Sequence, residues 1–129
     1  MILMRRQFVI QQHCIGITSH FDLMIEDGLA LATWQLPELP GRRTLPARRL
    51  PPHRLAYLSY QGEVSGGRGS VRPADAGQCQ VLRQQDDLWE IRLEGREVRG
   101  DFLLRRLDDQ QWELLAIGAP PGSEPSAGP

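Results

Sequence analysis

Residues 20–34 read HFDLMIEDGLALATW, and their alternation limits the folds open to the chain. Phe21, Leu23 and Ile25 fall on one face of an extended segment. His20, Asp22, Met24 and Glu26 fall on the other. A helix of period 3.6 gathers no such pair of faces from this pattern, whereas a half-buried strand requires it. Asp27-Gly28 supplies the two residues of a tight type I′ hairpin, and 29–34 returns as a second strand. The same period recurs along the chain. Strands are predicted over 5–12, 55–62, 70–73, 78–84, 88–94, 100–107 and 111–117, with no helix-period segment and no internal repeat. Short strands at this spacing, separated by glycine-rich or acidic turns, predict an all-β antiparallel barrel or sandwich.

Two stretches break the alternation. Residues 35–54 carry five prolines and two arginine doublets. Proline gives no N–H to a ladder, so the segment is predicted as a loop with extended pieces, of a length that is functional or disordered in a compact domain. Residues 62–71, GEVSGGRGSV, hold four glycines, as a β-turn or a close approach of backbone to ligand requires. From Gly118 onward the chain lacks the apolar side chains needed to fold, so one domain over 1–117 and a disordered tail over 118–129 are expected.

At 129 residues and a net charge of −1, bulk electrostatics give no sign of a nucleic-acid binder. The kind of charge says more. All fifteen basic residues are arginine, so no lysine is present for a Schiff base, a nucleotidyl intermediate or a P-loop. Arginine offers a planar fork that grips phosphate or carboxylate through two hydrogen bonds. Two cysteines, Cys14 and Cys79, form neither a disulfide framework nor a four-cysteine zinc site. No signal peptide or membrane-length apolar run is read in the sequence, and a reducing cytoplasm is the expected compartment.

His20 and Asp22 lie two residues apart on a strand and so point the same way, roughly 6.5–7 Å apart along it. His13 ends the preceding strand, and CIGITS (14–19) can fold back as a hairpin loop to bring it beside His20. Two imidazoles and one carboxylate with open positions suit Mn²⁺, Zn²⁺ or Fe²⁺. A solvated polar strand face is the alternative. His53 with Tyr57 four residues on suits a phosphate-contacting or acid/base pair. Trp34, Trp89 and Trp112 fall on strands and read as core or barrel-rim residues.

Taken in order, FVIQQH, HFDLMIEDGLALATWQLP, HRLAYLSYQGEVSGGRGSV and RLEGREVRGDFLLRRLDDQQWELLAI resemble the 3′-phosphoesterase domain of bacterial DNA ligase D over residues 6–117. The resemblance implies a small closed β-barrel of about eight strands with a surface groove. It also implies a Mn²⁺-dependent enzyme of end joining that removes a 3′-terminal ribonucleoside, then the 3′-phosphate, from a primer–template. A DNA ligase or polymerase is the partner it implies, with no membrane. Carried over, His13, His20 and Asp22 are the metal ligands, His53 contacts the scissile phosphate and Tyr57 supports the site. The chain departs from the family pattern in the CIGITS loop, at Met24 and Glu38 where the family has basic residues, and at Pro51-Pro52. Arg42, Arg43, Arg48, Arg49, Arg54 and Arg68 are the candidates to grip phosphate instead, with Arg48, Arg54 and Arg68 carried forward as the phosphate-binding set. A non-catalytic barrel that binds nucleic-acid ends or a repair partner is the second functional reading. A phosphoesterase acting on a cyclic or small-molecule phosphate is the third.

Overall fold

Phe8, Ile10, Leu23, Ile25, Ala32, Trp34 and Leu36 occupy alternate positions on three successive strands, and all are buried in one core. That alternation closes the sheet on itself. The computed structural model describes residues 4–118, so the tail expected over 118–129 lies, apart from Gly118, outside the described residues. The strands are β1 (Met4–Ile15), β2 (Thr18–Asp27), β3 (Ala30–Leu36), β4 (Leu45–Arg54), β5 (Gly62–Glu63), β6 (Ser70–Gln85), β7 (Leu88–Gly95), β8 (Arg99–Asp108) and β9 (Gln111–Ala116). They run in the order β1-β2-β3-β4-β9-β8-β7-β6-β5, and β1 also pairs with β6. Eight strands therefore form a closed antiparallel barrel, with the two-residue β5 attached outside the closure on β6. Closure removes the unpaired edges that an open sheet of this length exposes.

Three tryptophans from β3, β7 and β9 meet inside. Trp34 stands edge-on to Trp89 at 5.1 Å and to Trp112 at 5.7 Å between ring centroids. The guanidinium of Arg49 lies 4.3 Å from the Trp34 ring, and burial lowers its pKa from the ordinary arginine value. Arg49 is thus committed to the barrel interior rather than to a surface anion.

Several predicted elements are corrected. The first hairpin turns on Gly28-Leu29, not Asp27-Gly28, because Asp27 still pairs with Ala30. Gly28 takes φ +67° as the first turn residue, which suits a II′ turn and needs no second left-handed residue. Residues 35–54 are not all loop: β4 runs through Pro46, Pro51 and Pro52. Its pairing with β3 shifts register between Leu31 and Thr33, opposite Pro51-Pro52, and its pairing with β9 ends at Arg48. The proline doublet therefore falls where few ladder N–H groups are needed. Residues 55–58 form a 3-10 turn, η1, rather than a strand. Leu55, Tyr57 and Leu58 fold over Val9, Met24 and Leu31 on the outer wall, making a second small core. The strands predicted at 70–73 and 78–84 are one, β6, bulged at Ala74. Among the described residues, no helix is long and apolar enough to cross a membrane.

Candidate metal centre

The β1–β2 ladder pairs Gln11 with Asp22, His13 with His20 and Ile15 with Thr18. Phe8, Ile10, Leu23 and Ile25 of these strands enter the core, so the alternate residues face out. The turn at Gly16-Ile17, with Gly16 at φ +60°, sets this register and puts the two histidines side by side. Their rings lie 4.8 Å apart, edge to face.

His13 Nδ1 is 3.8 Å from Asp22 Oδ2, and His20 Nε2 is 3.3 Å from Asp22 Oδ1. One donor atom from each of the three residues lies within 4.8 Å of the other two. Donors around one divalent ion at ordinary bond lengths sit about 3–4.5 Å apart, so this set closes on a cation with small side-chain rotations. Asp22 is 4% exposed, and its Oδ1, with His20 Nε2 at 3.3 Å beside it, completes no well-aligned hydrogen bond. Burial pushes its carboxyl above the ordinary range, while His20, His13 and His53 pull against that shift. A buried carboxylate oxygen without a donor is costly unless something positive is supplied to it. The donor set and this orphaned atom fit a divalent cation.

The histidine tautomers follow from their partners. His13 Nε2 meets the Arg68 carbonyl at 2.5 Å. A carbonyl only accepts, so Nε2–H donates and the electron pair is left on Nδ1, the nitrogen nearest Asp22. His53 Nδ1 donates to the Pro51 carbonyl at 2.9 Å, which leaves Nε2 as its free nitrogen.

A cleft of about 340 Å³ adjoins the cluster, with His13, Asp22, His53, Arg54, Tyr57 and Arg68 among its walls. The rings of His53 and Tyr57 are 5.8 Å apart. Six of the sequence candidates thus share one cleft, and His20 joins them through His13 and Asp22. Arg48 does not: it lies on β4 opposite Gln111, and its guanidinium donates to Gln110 Oε1 at 3.5 Å. Arg43 is held by Glu38. Arg54 and Arg68 are the arginines of the candidate set that line the cleft. Met24 is fully buried under η1, so an apolar side chain there seals the second core.

Two residues of the site were not singled out by the sequence, Gly69 entering only as one of four glycines in 62–71. Gln11 is 2% exposed and its Nε2 donates to the carbonyls of Tyr57 and Tyr60, at 2.9 and 3.0 Å. It pins η1 and so the placement of Tyr57. Its position two residues before His13, on the outward face of β1, was the available clue. Gly69 has φ +83°, and a Cβ there would lie 2.0 Å from the Cys14 carbonyl oxygen. Only glycine lets this loop approach β1 closely enough for the Arg68 carbonyl to reach His13. Gly69→Ala is therefore expected to weaken Mn²⁺ binding by about 10–100-fold, as loss of an orienting contact to a ligand histidine does. Calorimetric titration checks this, with circular dichroism confirming the barrel; an unchanged affinity would mean that another contact orients His13.

Among the described residues, the cluster is His13, His20 and Asp22, with neither cysteine in it. Burial pushes the Cys79 thiol up to about 12, which keeps it protonated and inert. No family model and no curated protein matches the chain.

Proposed function

We propose that the chain is a divalent-metal-dependent phosphoesterase that heals the 3′ ends of nucleic acid, releasing a 3′-terminal ribonucleoside and then the 3′-phosphate. The observation that carries this reading is the meeting of two imidazoles and a buried carboxylate, one of whose oxygens completes no hydrogen bond, at the wall of a cleft that also holds His53, Arg54 and Arg68. The ordered resemblance to the ligase D phosphoesterase domain supplies the substrate class. His13, His20 and Asp22 would hold the ion, Mn²⁺ first and Zn²⁺ or another divalent transition metal as alternatives. Bound there, it neutralises phosphate charge and makes a water or hydroxyl nucleophilic at neutral pH.

The remaining roles belong to the protein. Arg54 and Arg68 line the cleft and offer charge-assisted donors to the non-bridging phosphate oxygens. Arg68 is held in place by its own loop, its Nε donating to the Ser65 carbonyl at 2.7 Å. Each step adds one water across a P–O bond, and the leaving oxygen must gain a proton. His53, anchored through its Nδ1–H to Pro51, presents the electron pair of Nε2, which can take the proton of the attacking water and pass it to the leaving oxygen. Tyr57 packs edge-on to His53 and limits its rotation.

Purified protein with Mn²⁺ is expected to convert a primer–template ending in a 3′-ribonucleotide or a 3′-phosphate to a 3′-OH that a polymerase extends. His53→Ala should lower kcat by about 10²–10⁴-fold with Mn²⁺ affinity intact. No conversion with Mn²⁺, Zn²⁺ or Co²⁺, at enzyme excess over ends, would overturn the enzymatic reading. Met24 is buried and Glu38 is paired with Arg43, so neither position where the resembled family has a basic residue offers phosphate a cation, which favours the non-catalytic end-binding module as the second reading. That module binds ends without turnover, with affinity falling as salt rises.

A further inference from the structure

The outward face of the β1–β2 hairpin does not end at the histidines. Beyond the His13–His20 pair comes Ile15–Thr18, and then the turn Gly16-Ile17. Ile15 is 42% exposed and Ile17 is 104% exposed, so two large apolar side chains crown the hairpin that carries the candidate metal ligands. Ile15 lies two residues past His13 on the same face, roughly 6.5–7 Å along the strand. Among the described residues, none covers the Ile17 side chain. The Thr18 hydroxyl donates to the Ile15 carbonyl at 2.9 Å and stiffens the tip. A second, open cavity of about 720 Å³ begins here, between Cys14 and Gly16 on the hairpin and the glycine-rich loop. It shares the Val64–Ser65 wall with the cleft beside the metal cluster.

The surroundings select the occupant. Arg54 and Arg68 line the adjoining cleft, and the loop that carries Arg68 reaches the tip, since a Cβ on Gly69 would lie 3.0 Å from Ile15 Cγ1. An apolar tip bordered by arginines matches a molecule that is anionic along its backbone and apolar on its flat faces. Two isoleucines bury far less than the roughly 1,200 Å² that a stable protein partner needs. Isoleucine is among the side chains that proteins press against or between base steps.

We propose that the Ile15–Ile17 tip is a base-contact element, packing against the face of the nucleobase next to the phosphate that the His13–His20–Asp22 cluster receives. The proposal rests on the reading that this cluster handles nucleic-acid ends, and it names what holds the end in place. The tip supplies shape and apolar contact, with no hydrogen-bond readout, so it serves any base at the terminus.

The test uses a primer–template carrying 2-aminopurine as the 3′-terminal base, with the full chain and with the double variant Ile15→Ser/Ile17→Ser. The wild-type chain is expected to change the probe's fluorescence on binding. The double variant should bind roughly tenfold more weakly or worse and leave the probe at its free value, with Mn²⁺ affinity unchanged. Ile17→Ser alone, at a side chain wholly in solvent, should show the same direction and guards against misfolding of the double variant. Equal affinity and equal probe response in both variants would overturn the proposal, as would wild-type binding with no probe response. A double variant that keeps its DNA affinity but loses binding to anionic vesicles, or changes oligomeric state, would overturn it in favour of those occupants. The readout is binding, so a wild-type chain that engages the probe but never hydrolyses it defeats the phosphoesterase reading alone. A chain that heals ends while the variants lose nothing defeats the tip alone, and a chain that neither binds nor heals them defeats both.

Discussion

Asp22→Asn is expected to abolish the thermal stabilisation that Mn²⁺ confers on the protein and, at the same time, to raise the melting temperature of the metal-free chain. The two effects have opposite sign and one cause. Asp22 is buried, and its Oδ1 completes no well-aligned hydrogen bond, with only the ion-pair contact to His20 beside it. Without a cation, folding strips water from this carboxylate and returns too little in exchange, as the upward push of burial on its pKa shows. Asparagine keeps the shape and removes the charge, so the metal-free fold gains on the order of 1–2 kcal/mol. With the carboxylate gone, two imidazoles remain. Mn²⁺ affinity should fall by at least about 100-fold, since changes merely beside a ligand already cost 10–100-fold. Thermal melts at pH 8 with chelator, and then across Mn²⁺ concentrations, read both effects. The wild-type melting temperature rises with metal as linkage requires, and that of the variant stays flat. A variant that loses stability without metal and still responds to Mn²⁺ would mean that Asp22 is a structural acceptor and not a ligand.

The trio could be found because a β-hairpin is a local object. Period-two alternation through residues 20–26 and a glycine turn are enough to pair His13 with His20, and two-residue spacing puts Asp22 on the same face. Elements set by distant contacts were not legible in the same way. The apolar run 55–58 reads as a strand, yet Leu55, Tyr57 and Leu58 find their burial against Val9, Met24 and Leu31 from three strands. Gln11 completes that choice from β1 by holding the Tyr57 and Tyr60 carbonyls. The prolines of β4 argued against a strand because the register shift opposite Pro51-Pro52 is a property of pairing rather than of composition. The arginines divide by the same logic. Arg49 goes in among the tryptophans, Arg48 faces Gln110, and Arg54 and Arg68 reach the cleft. Nothing in a run of RR doublets records which neighbour each guanidinium meets. Met24 shows the limit of comparison by residue type: its apolar side chain suits the small core under η1, a demand visible only once η1 is in place.

Asp75→Asn is expected to destabilise the barrel by on the order of 3 kcal/mol near neutral pH, with the gap to wild type closing in acid. Asp75 lies on β6 and is 7% exposed. Its Oδ1 accepts from the backbone N–H groups of Ala76 and Arg96, at 2.9 and 2.8 Å. Its Oδ2 accepts from those of Glu97 and Val98, at 3.0 and 2.7 Å. One carboxylate thus satisfies four backbone donors and ties β6 to the turn that joins β7 to β8. Gly95 makes room, since a Cβ there would lie 2.6 Å from Asp75 Oδ2. Asparagine fits the same volume but turns one oxygen into an NH₂ that faces two N–H donors. Half the bonds are lost, and those donors, one of them on the buried Val98, are left facing another donor. Urea unfolding reads the loss as a lower midpoint with an unchanged slope. The pH dependence follows from the direction of the pKa shift. Burial alone would raise the Asp75 carboxyl, but the four backbone bonds outweigh it and hold the group below the ordinary aspartate value. The unfolded chain therefore takes up a proton first as pH falls. The contribution of Asp75 is complete above the usual carboxylate range and drains away as pH drops through the lowered native pKa, where wild type and variant converge. A constant gap between the two proteins from pH 7 down to pH 3 would show that the turn is held by packing of its side chains, not by the charge on Asp75.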